Sequence, residues 1–358
     1  VNLIGEHTDY NGGPVLPVAT SERTTVAVAP GEPGWLELVS SRDGQMARVR
    51  WDGALPKGWA GYMVGVMREL AGRGAAPIGA RVAVVSDVPV GAGLSSSAAL
   101  TVATGRALAS LAGAALSPRE LVTVAHRAEH DHVGVHCGIM DQTIAVRART
   151  DHALLIECAT GRYRHIPMRA RLLLVDTGAR HDLAASAYNE RRAECEAALA
   201  TLARAVPGLA NLADWRLRRL PALRRLLVNP LRSRVRHVVT ETARARAAAA
   251  LLARGRLRAF GRLMDASHES CRRWFECSGP ELDLAVRAAR RAGAWGARMT
   301  GAGWGGAVLV LVGPTRGTAR REQAIVAGVR RAFVRNYGRE PAISVVRPGP
   351  GARSERVT

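Results

Sequence analysis

The chain has 358 residues, of which 47% are apolar, enough for two domains of ordinary size. Its formal charge of +21 would suit nucleic acid, but Lys57 is the only lysine among 51 basic residues and aromatics make up 4%; the charge reads as arginine-rich coding bias that favours phosphorylated small molecules, and no nucleic-acid partner is expected. No apolar run reaches the ~18 residues of a membrane span, no signal pattern opens the chain, and five scattered cysteines form no C-x-x-C pair, so a soluble, cytoplasmic protein with reduced thiols and no membrane partner is expected.

The sequence opens on Val1-Asn2-Leu3-Ile4-Gly5-Glu6-His7-Thr8-Asp9-Tyr10-Asn11-Gly12-Gly13. Its strand-like start without Met reads as a fragment whose first residues are missing. Glu6, His7 and Asp9 precede a turn signal at Asn11-Gly12-Gly13. Two carboxylates and an imidazole so close together suit the hydroxyls of a polyol or sugar, with an ordinary polar loop as the alternative. Residues 22–29 and 36–50 alternate apolar and polar and are predicted as strands. Residues 59–73 are predicted as a helix ending near Gly74.

An apolar run from Val82 to Val85 then feeds Val88-Pro89-Val90-Gly91-Ala92-Gly93-Leu94-Ser95-Ser96-Ser97-Ala98-Ala99-Leu100, with a helix expected from Ala98 onward. Backbone N–H groups and a helix N-terminus would converge there on an anion, and a serine hydroxyl in the first turn could reach a phosphate oxygen or a phosphate-bound metal. No Gly-Lys-Ser/Thr closes the loop, so it is not the Walker pattern. Serines that merely cap the helix after a glycine turn are the alternative.

Ser117-Pro118-Arg119-Glu120 has the cap, the proline and the glutamate of a capping box, and Leu121, Val124, Ala125 and Ala128 fall on one face, with Glu129 close to its edge. His126-Arg127-Ala128-Glu129-His130 fits the inverted zinc-protease pattern H-x-x-E-H; that reading lacks a third ligand and leaves Glu6, His7, Asp9 and Asp141 without work. Residues 152–157 and 171–176 are predicted as strands and Ala184 to Val206 as a long helix containing Tyr188. The arginine-rich stretch 214–236, broken by Pro221 and Pro230, reads as a solvated helical or loop region. Helices are predicted over 238–253, over 256–274 and from Pro280 to Gly293. A second glycine-dense loop, Arg298-Met299-Thr300-Gly301-Ala302-Gly303-Trp304-Gly305-Gly306, enters the strand Ala307 to Val312; it suggests backbone packed against a ligand or another loop, or a tight strand-leading turn.

Taken together, these patterns resemble the galactokinase branch of the GHMP sugar and metabolite kinases over nearly the whole chain. Val1 to Pro17 is similar to the family's N-terminal signature, Val88 to Leu100 to its phosphate loop, and Gly138-Ile139-Met140-Asp141-Gln142 to the segment with the catalytic aspartate. Thr177 to Glu196, with Arg180-His181 and Tyr188-Asn189-Glu190-Arg191-Arg192, and the loop Thr300 to Gly306 are also similar. The resemblance implies an α/β (α+β) two-domain GHMP kinase fold, residues 1–165 and 166–348, with the active site in the inter-domain cleft and 349–358 as a disordered tail.

It also implies that Gly91, Ala92, Gly93, Leu94, Ser95, Ser96 and Ser97 wrap the phosphates of ATP and that Ser97 and Glu129 hold Mg²⁺. Glu6, His7, Thr8, Asp9, Gly138 and Tyr188 would bind galactose. Asp141 would act as general base on the anomeric hydroxyl, giving galactose 1-phosphate and ADP. The oligomeric state is left open, a monomer included. In the family an arginine immediately precedes Val1, and a truncated chain is the expected reason for its absence. Trp304 stands where Phe or Tyr is usual, and Ala307 where Cys is common. A relative acting on another sugar, or a catalytically silent sugar and nucleotide sensor if the arginine is truly absent, are the alternatives.

Overall fold

The first strand is the short Pro14–Val15 (β1), and the alternating stretch beyond it forms three strands, Thr24–Pro30 (β2), Trp35–Ser40 (β3) and Met46–Arg50 (β4). A helix, Trp59–Ala71 (α1), and a strand, Ala80–Ser86 (β5), follow. The sheet order is β2-β5-β3-β4, with β3 and β5 parallel and the other pairs antiparallel. Leu36 and Leu38 of β3 and Val82 and Val84 of β5 pack with Met63 and Met67 of α1 in one core. Three more helices complete this part: Ser96–Leu111 (α2), Pro118–Arg127 (α3) and Met140–Arg147 (α4). The capping box of α3 forms as expected. Glu120 N donates to Ser117 Oγ at 3.2 Å and Ser117 N donates to Glu120 Oε2 at 2.8 Å, satisfying donors that the helix itself leaves open.

The remaining strands are His152–Glu157 (β6), Arg162–Pro167 (β7), Ala170–Asp176 (β8), Gly296–Thr300 (β9), Ala307–Pro314 (β10) and Ala342–Val346 (β11). They build a three-stranded sheet, β1-β6-β7, and an antiparallel four-stranded sheet, β11-β8-β10-β9. The helices are Ala184–Ala205 (α5), Leu223–Leu226 (α6), Leu231–Ala253 (α7), Leu257–Ser270 (α8), Pro280–Arg291 (α9) and Ala319–Tyr337 (α10). Val308 and Val310 of β10, Ala297 and Met299 of β9, and Phe333 of α10 share one buried core.

The computed structural model describes residues 1–42, 44–89, 93–179 and 184–355. They separate into two compact units. One comprises Val1–Val18, Gly93 and Asp151–Pro348; the other comprises residues 19–89, 94–150 and 349–355. This differs from a division at residue 165, because β1 near the N-terminus pairs with β6 and draws the first residues into the later unit. The tail expected to be disordered is held over its described part: Gly349 N donates to Ala19 O at 2.9 Å, Gly351 N to Ala148 O at 3.0 Å and Ala352 N to Ala145 O at 2.8 Å.

Several elements lie outside the sequence expectations, among them the short β1 and α4. β7 has mostly exposed side chains, so little periodicity marks it. β9 runs into the glycine-dense loop that starts at Arg298, and Gly296 and Arg298 interrupt an apolar strand whose five residues are all buried. α10 and β11 fill a stretch left unassigned, although Ile325, Val329, Ala332 and Phe333 recur at helical spacing and are buried. The arginine-rich stretch also needs correction at Arg234, which is 2% exposed and paired with Glu194 at 2.6 Å and Glu276 at 2.8 Å. Among the described residues no helix is long and apolar enough to cross a membrane.

Candidate active site

The opening loop turns its polar residues inward. Leu3 and Ile4 are fully buried, and so nearly are Glu6, His7 and Thr8. Such burial demands partners for every polar group, and each has them. Glu6 Oε1 accepts from Gly301 N at 2.7 Å and from Arg298 Nη1 at 3.2 Å, while Asn2 Nδ2 donates to Oε2. Burial raises the Glu6 carboxyl above its ordinary value, against the lowering effect of Arg298. Thr8 Oγ1 lies 2.8 Å from both Gly5 O and Pro14 O, which closes the turn on which Asp9 begins a short 3₁₀ segment.

His7 Nε2 lies 3.0 Å from Ala302 O and Nδ1 lies 2.9 Å from Tyr10 Oη. A carbonyl only accepts, so Nε2 carries the proton and Nδ1 accepts from the tyrosine. Desolvation, with the nearby His237 adding to it, lowers the His7 pKa to about 3, so the ring is neutral. Its face stacks on Phe275 at 4.3 Å, and Tyr188 of α5 approaches at 5.6 Å and Trp304 at 6.1 Å. Both ring nitrogens are thereby occupied, and the ring anchors an aromatic cluster with the half-buried Tyr188 at its side.

Beneath this loop lies a polar layer that sequence reading missed. Glu241 of α7, fully buried, accepts from Gly5 N at 2.9 Å and pairs with Arg244 at 2.7 Å. Burial would raise its pKa, but Arg244, His237 and Arg298 outweigh that and hold it at about 2. Among the described residues the cation that lowers Glu6 is Arg298, which does not outweigh burial, whereas Glu241 has several such groups, and the two carboxyls shift in opposite directions. Arg298 donates through Nε to Ser267 Oγ at 3.2 Å and through Nη1 to Asn2 O at 3.1 Å. His237 Nε2 lies 3.0 Å from Glu6 O. The sequence signal for this layer is a lone charge inside the apolar β9, Arg298; Glu241, between Thr240 and Thr242 in the arginine-rich α7, carries none.

The glycine and serine loop runs into α2. Ser95 occupies the N-cap position with φ 55° and ψ 46°, and no side chain caps the helix. The expected alternative, serines that cap the helix, is not seen at Ser95. The Ser95 hydroxyl is hydrogen-bonded to Asp141, and that of Ser97 to Glu129. Leu94 and Ser96 are half-buried beside them. Gly91, Ala92, Arg180 and His181 lie outside the described residues.

Glu129 is not on α3, which ends at Arg127; it lies in a π-helical turn, Ala128–Val133, a distortion common at functional sites. Its Oε1 accepts from Gln142 Nε2 at 2.8 Å and from Thr101 Oγ1 at 3.1 Å. Burial raises its pKa, with the charge of Asp141 adding to the effect. Asp141, in the first turn of α4, is likewise raised by burial, against the hydrogen bond from Ser95. Gly138 is half-buried two residues ahead of α4.

Two carboxyls shifted upward, joined to the start of α2 by serine hydroxyls, offer a base and an oxygen donor for a hard cation. The protease pattern is not assembled. His126 and His130 stack on each other at 5.4 Å, His126 Nε2 lies 3.2 Å from Cys137 O, and His130 Nδ1 lies 2.8 Å from Asp131. Among the described residues no three His, Cys, Asp or Glu side chains are grouped to hold a metal.

Family models match three parts of the chain: a galactokinase galactose-binding signature at residues 1–30, the GHMP kinases N terminal domain at 61–149 and the GHMP kinases C terminal at 248–334. The chain is 41% identical to a galactokinase of Roseiflexus sp. over 98% of its length and 90% of that protein's. It is 40% identical to a galactokinase of Mycobacterium bovis over 98% of its length and 96% of that protein's. It also superposes on the crystal structure of Lactococcus lactis galactokinase complexed with galactose, with a TM-score of 0.92, 31% identity and coverage of 98% and 92%. A mevalonate kinase of Methanococcus jannaschii, at 18% identity and a TM-score of 0.69 over 98% and 96% of the two chains, shares the fold.

Proposed function

The chain belongs to the galactokinase branch of the GHMP kinases, and on that premise we propose that it transfers the γ-phosphoryl group of ATP to the anomeric hydroxyl of D-galactose, releasing galactose 1-phosphate and ADP. The observation that carries this reading is the start of α2, uncapped while its serines turn to Asp141 and Glu129. An N-terminus in that state presents N–H groups and the positive end of the helix dipole to phosphate.

In this reading the segment from Gly91 to Ser97 wraps the phosphates. Ser97 and Glu129 hold Mg²⁺, for which one hydroxyl and one carboxylate suffice because the ion takes its other oxygens from phosphates and water. Once bound, the ion neutralises charge between the phosphates. Glu6, which retains acceptor capacity beyond its three partners, joins Asp9, Tyr188 and the backbone at Gly138 in holding the sugar hydroxyls. His7 and Thr8 keep the loop in shape. Asp141 takes the proton of the anomeric hydroxyl, late in a transfer governed chiefly by positioning and charge stabilisation.

An ADP-release assay with ATP, Mg²⁺ and a panel of D-galactose, N-acetylgalactosamine, arabinose and galacturonate tests the activity. The highest kcat/KM is expected with galactose. Turnover of none of the four sugars would sink the reading, and binding of galactose and ATP without ADP release would replace it with a sensor. The Glu129→Gln variant, lacking one anionic donor, should need roughly tenfold more Mg²⁺ for half its maximal rate. An unchanged Mg²⁺ titration would remove Glu129 from the metal site.

A further inference from the structure

The two glycine loops touch through backbone atoms. Gly301 has φ +86°, and a Cβ added there would lie 3.3 Å from Gly93 Cα and 3.4 Å from Gly93 O; one added to Gly93 would lie 3.2 Å from Thr300 O. Neither position leaves comfortable room for a side chain, so a displacement of one loop is felt by the other. The same Gly301 donates its N–H to Glu6 Oε1 at 2.7 Å, and Glu6 is held in turn by Asn2 and Arg298. The neighbouring residue is tied to the same strand of contacts: Thr300 Oγ1 donates to Asn2 O at 3.0 Å. An unbroken path thus runs from the carboxylate of the opening loop, through the Gly301 peptide, to Gly93, two residues ahead of Ser95.

We infer that Gly301 is a positioning residue that couples the two substrates. This rests on the proposed galactokinase activity, in which Glu6 meets the sugar and the segment ending at Ser97 meets the nucleotide. Galactose held by Glu6 fixes the carboxylate, the carboxylate fixes the Gly301 N–H, and Gly301 fixes Gly93, so the phosphate loop has less freedom to lose when ATP arrives. Galactose therefore tightens nucleotide binding, and by linkage the nucleotide tightens galactose binding by the same factor. Gly301 touches neither reacting atom; its effect is read in the ratio of affinities.

Calorimetric titration of a non-hydrolysable ATP analogue with Mg²⁺, without and with saturating D-galactose, measures that ratio. The unaltered protein should bind the analogue roughly fivefold more tightly, or better, when galactose is present. Gly301→Ala places a Cβ against Gly93 at a positive φ and should bring the ratio close to one while galactose alone still binds. Should that variant fail to fold, Thr300→Val removes the hydroxyl that ties the residue before Gly301 to Asn2, at a position assigned to neither ligand and without added volume, and should lower the ratio likewise. Independent binding of the two ligands in the unaltered protein, or full coupling in the folded variants, overturns the coupling alone. Failure of either ligand to bind overturns the activity and the coupling together.

Discussion

Asp141→Asn is expected to lower kcat for galactose phosphorylation by about 10²–10⁴-fold, the usual worth of a positioned acid–base group, while galactose binding remains measurable by calorimetry. The replacement keeps the shape of the side chain and removes only its charge and its capacity to take a proton. In the folded protein burial raises the Asp141 carboxyl above the ordinary aspartate range, and the Ser95 hydroxyl partly offsets this. The ionised form is the competent one, so kcat should fall as pH drops through that raised value, higher than an exposed aspartate would give. Ser95→Ala removes the offsetting hydrogen bond and should move the acid limb to still higher pH. An Asp141→Asn protein that keeps most of its rate, or a rate with no acid limb in the unaltered protein, would exclude Asp141 as the base.

Arg298→Met should have the largest effect on the fold. The guanidinium is fully buried and serves Glu6, Asn2 O and Ser267 at once. Its loss leaves the Glu6 carboxylate inside the protein without the cation it pairs with, while Glu241 keeps Arg244. Breaking a buried pair from one side costs about 3–5 kcal/mol, and thermal unfolding followed by circular dichroism should show a midpoint several degrees lower. Because the uncompensated charge causes the loss, adding Glu6→Gln to Arg298→Met should recover part of it, a coupling that a double-mutant cycle resolves. An unchanged midpoint in Arg298→Met would show that the charges around Glu6 are matched some other way.

Much of the architecture was legible because its causes are local. The capping box at Ser117 and Glu120, the helix over residues 59 to 71, and strands β6 and β8 follow from spacing and residue type within a few positions. The elements that escaped had their local signal diluted. β9 carries a charge and a glycine in a fully buried strand, and β7 has scarcely a buried face. The docked residues after Pro348 are rich in Gly and Pro, a composition that reads as loose until the carbonyls of Ala19, Ala148 and Ala145 are seen to receive their N–H groups.

The sequence by itself determined the residue types and order of the two loops, the acidic partners Glu129 and Asp141, and the family to which they point, because each motif is a short run whose chemistry is visible in place. Only the tertiary structure decided which partners those residues meet. It joined Ser95 to Asp141 and Ser97 to Glu129, occupied both nitrogens of His7, and matched Glu6 with Arg298, 292 residues away. Buried charges and N–H groups must find partners wherever the chain brings them, and pairing at such separation leaves no trace in local spacing.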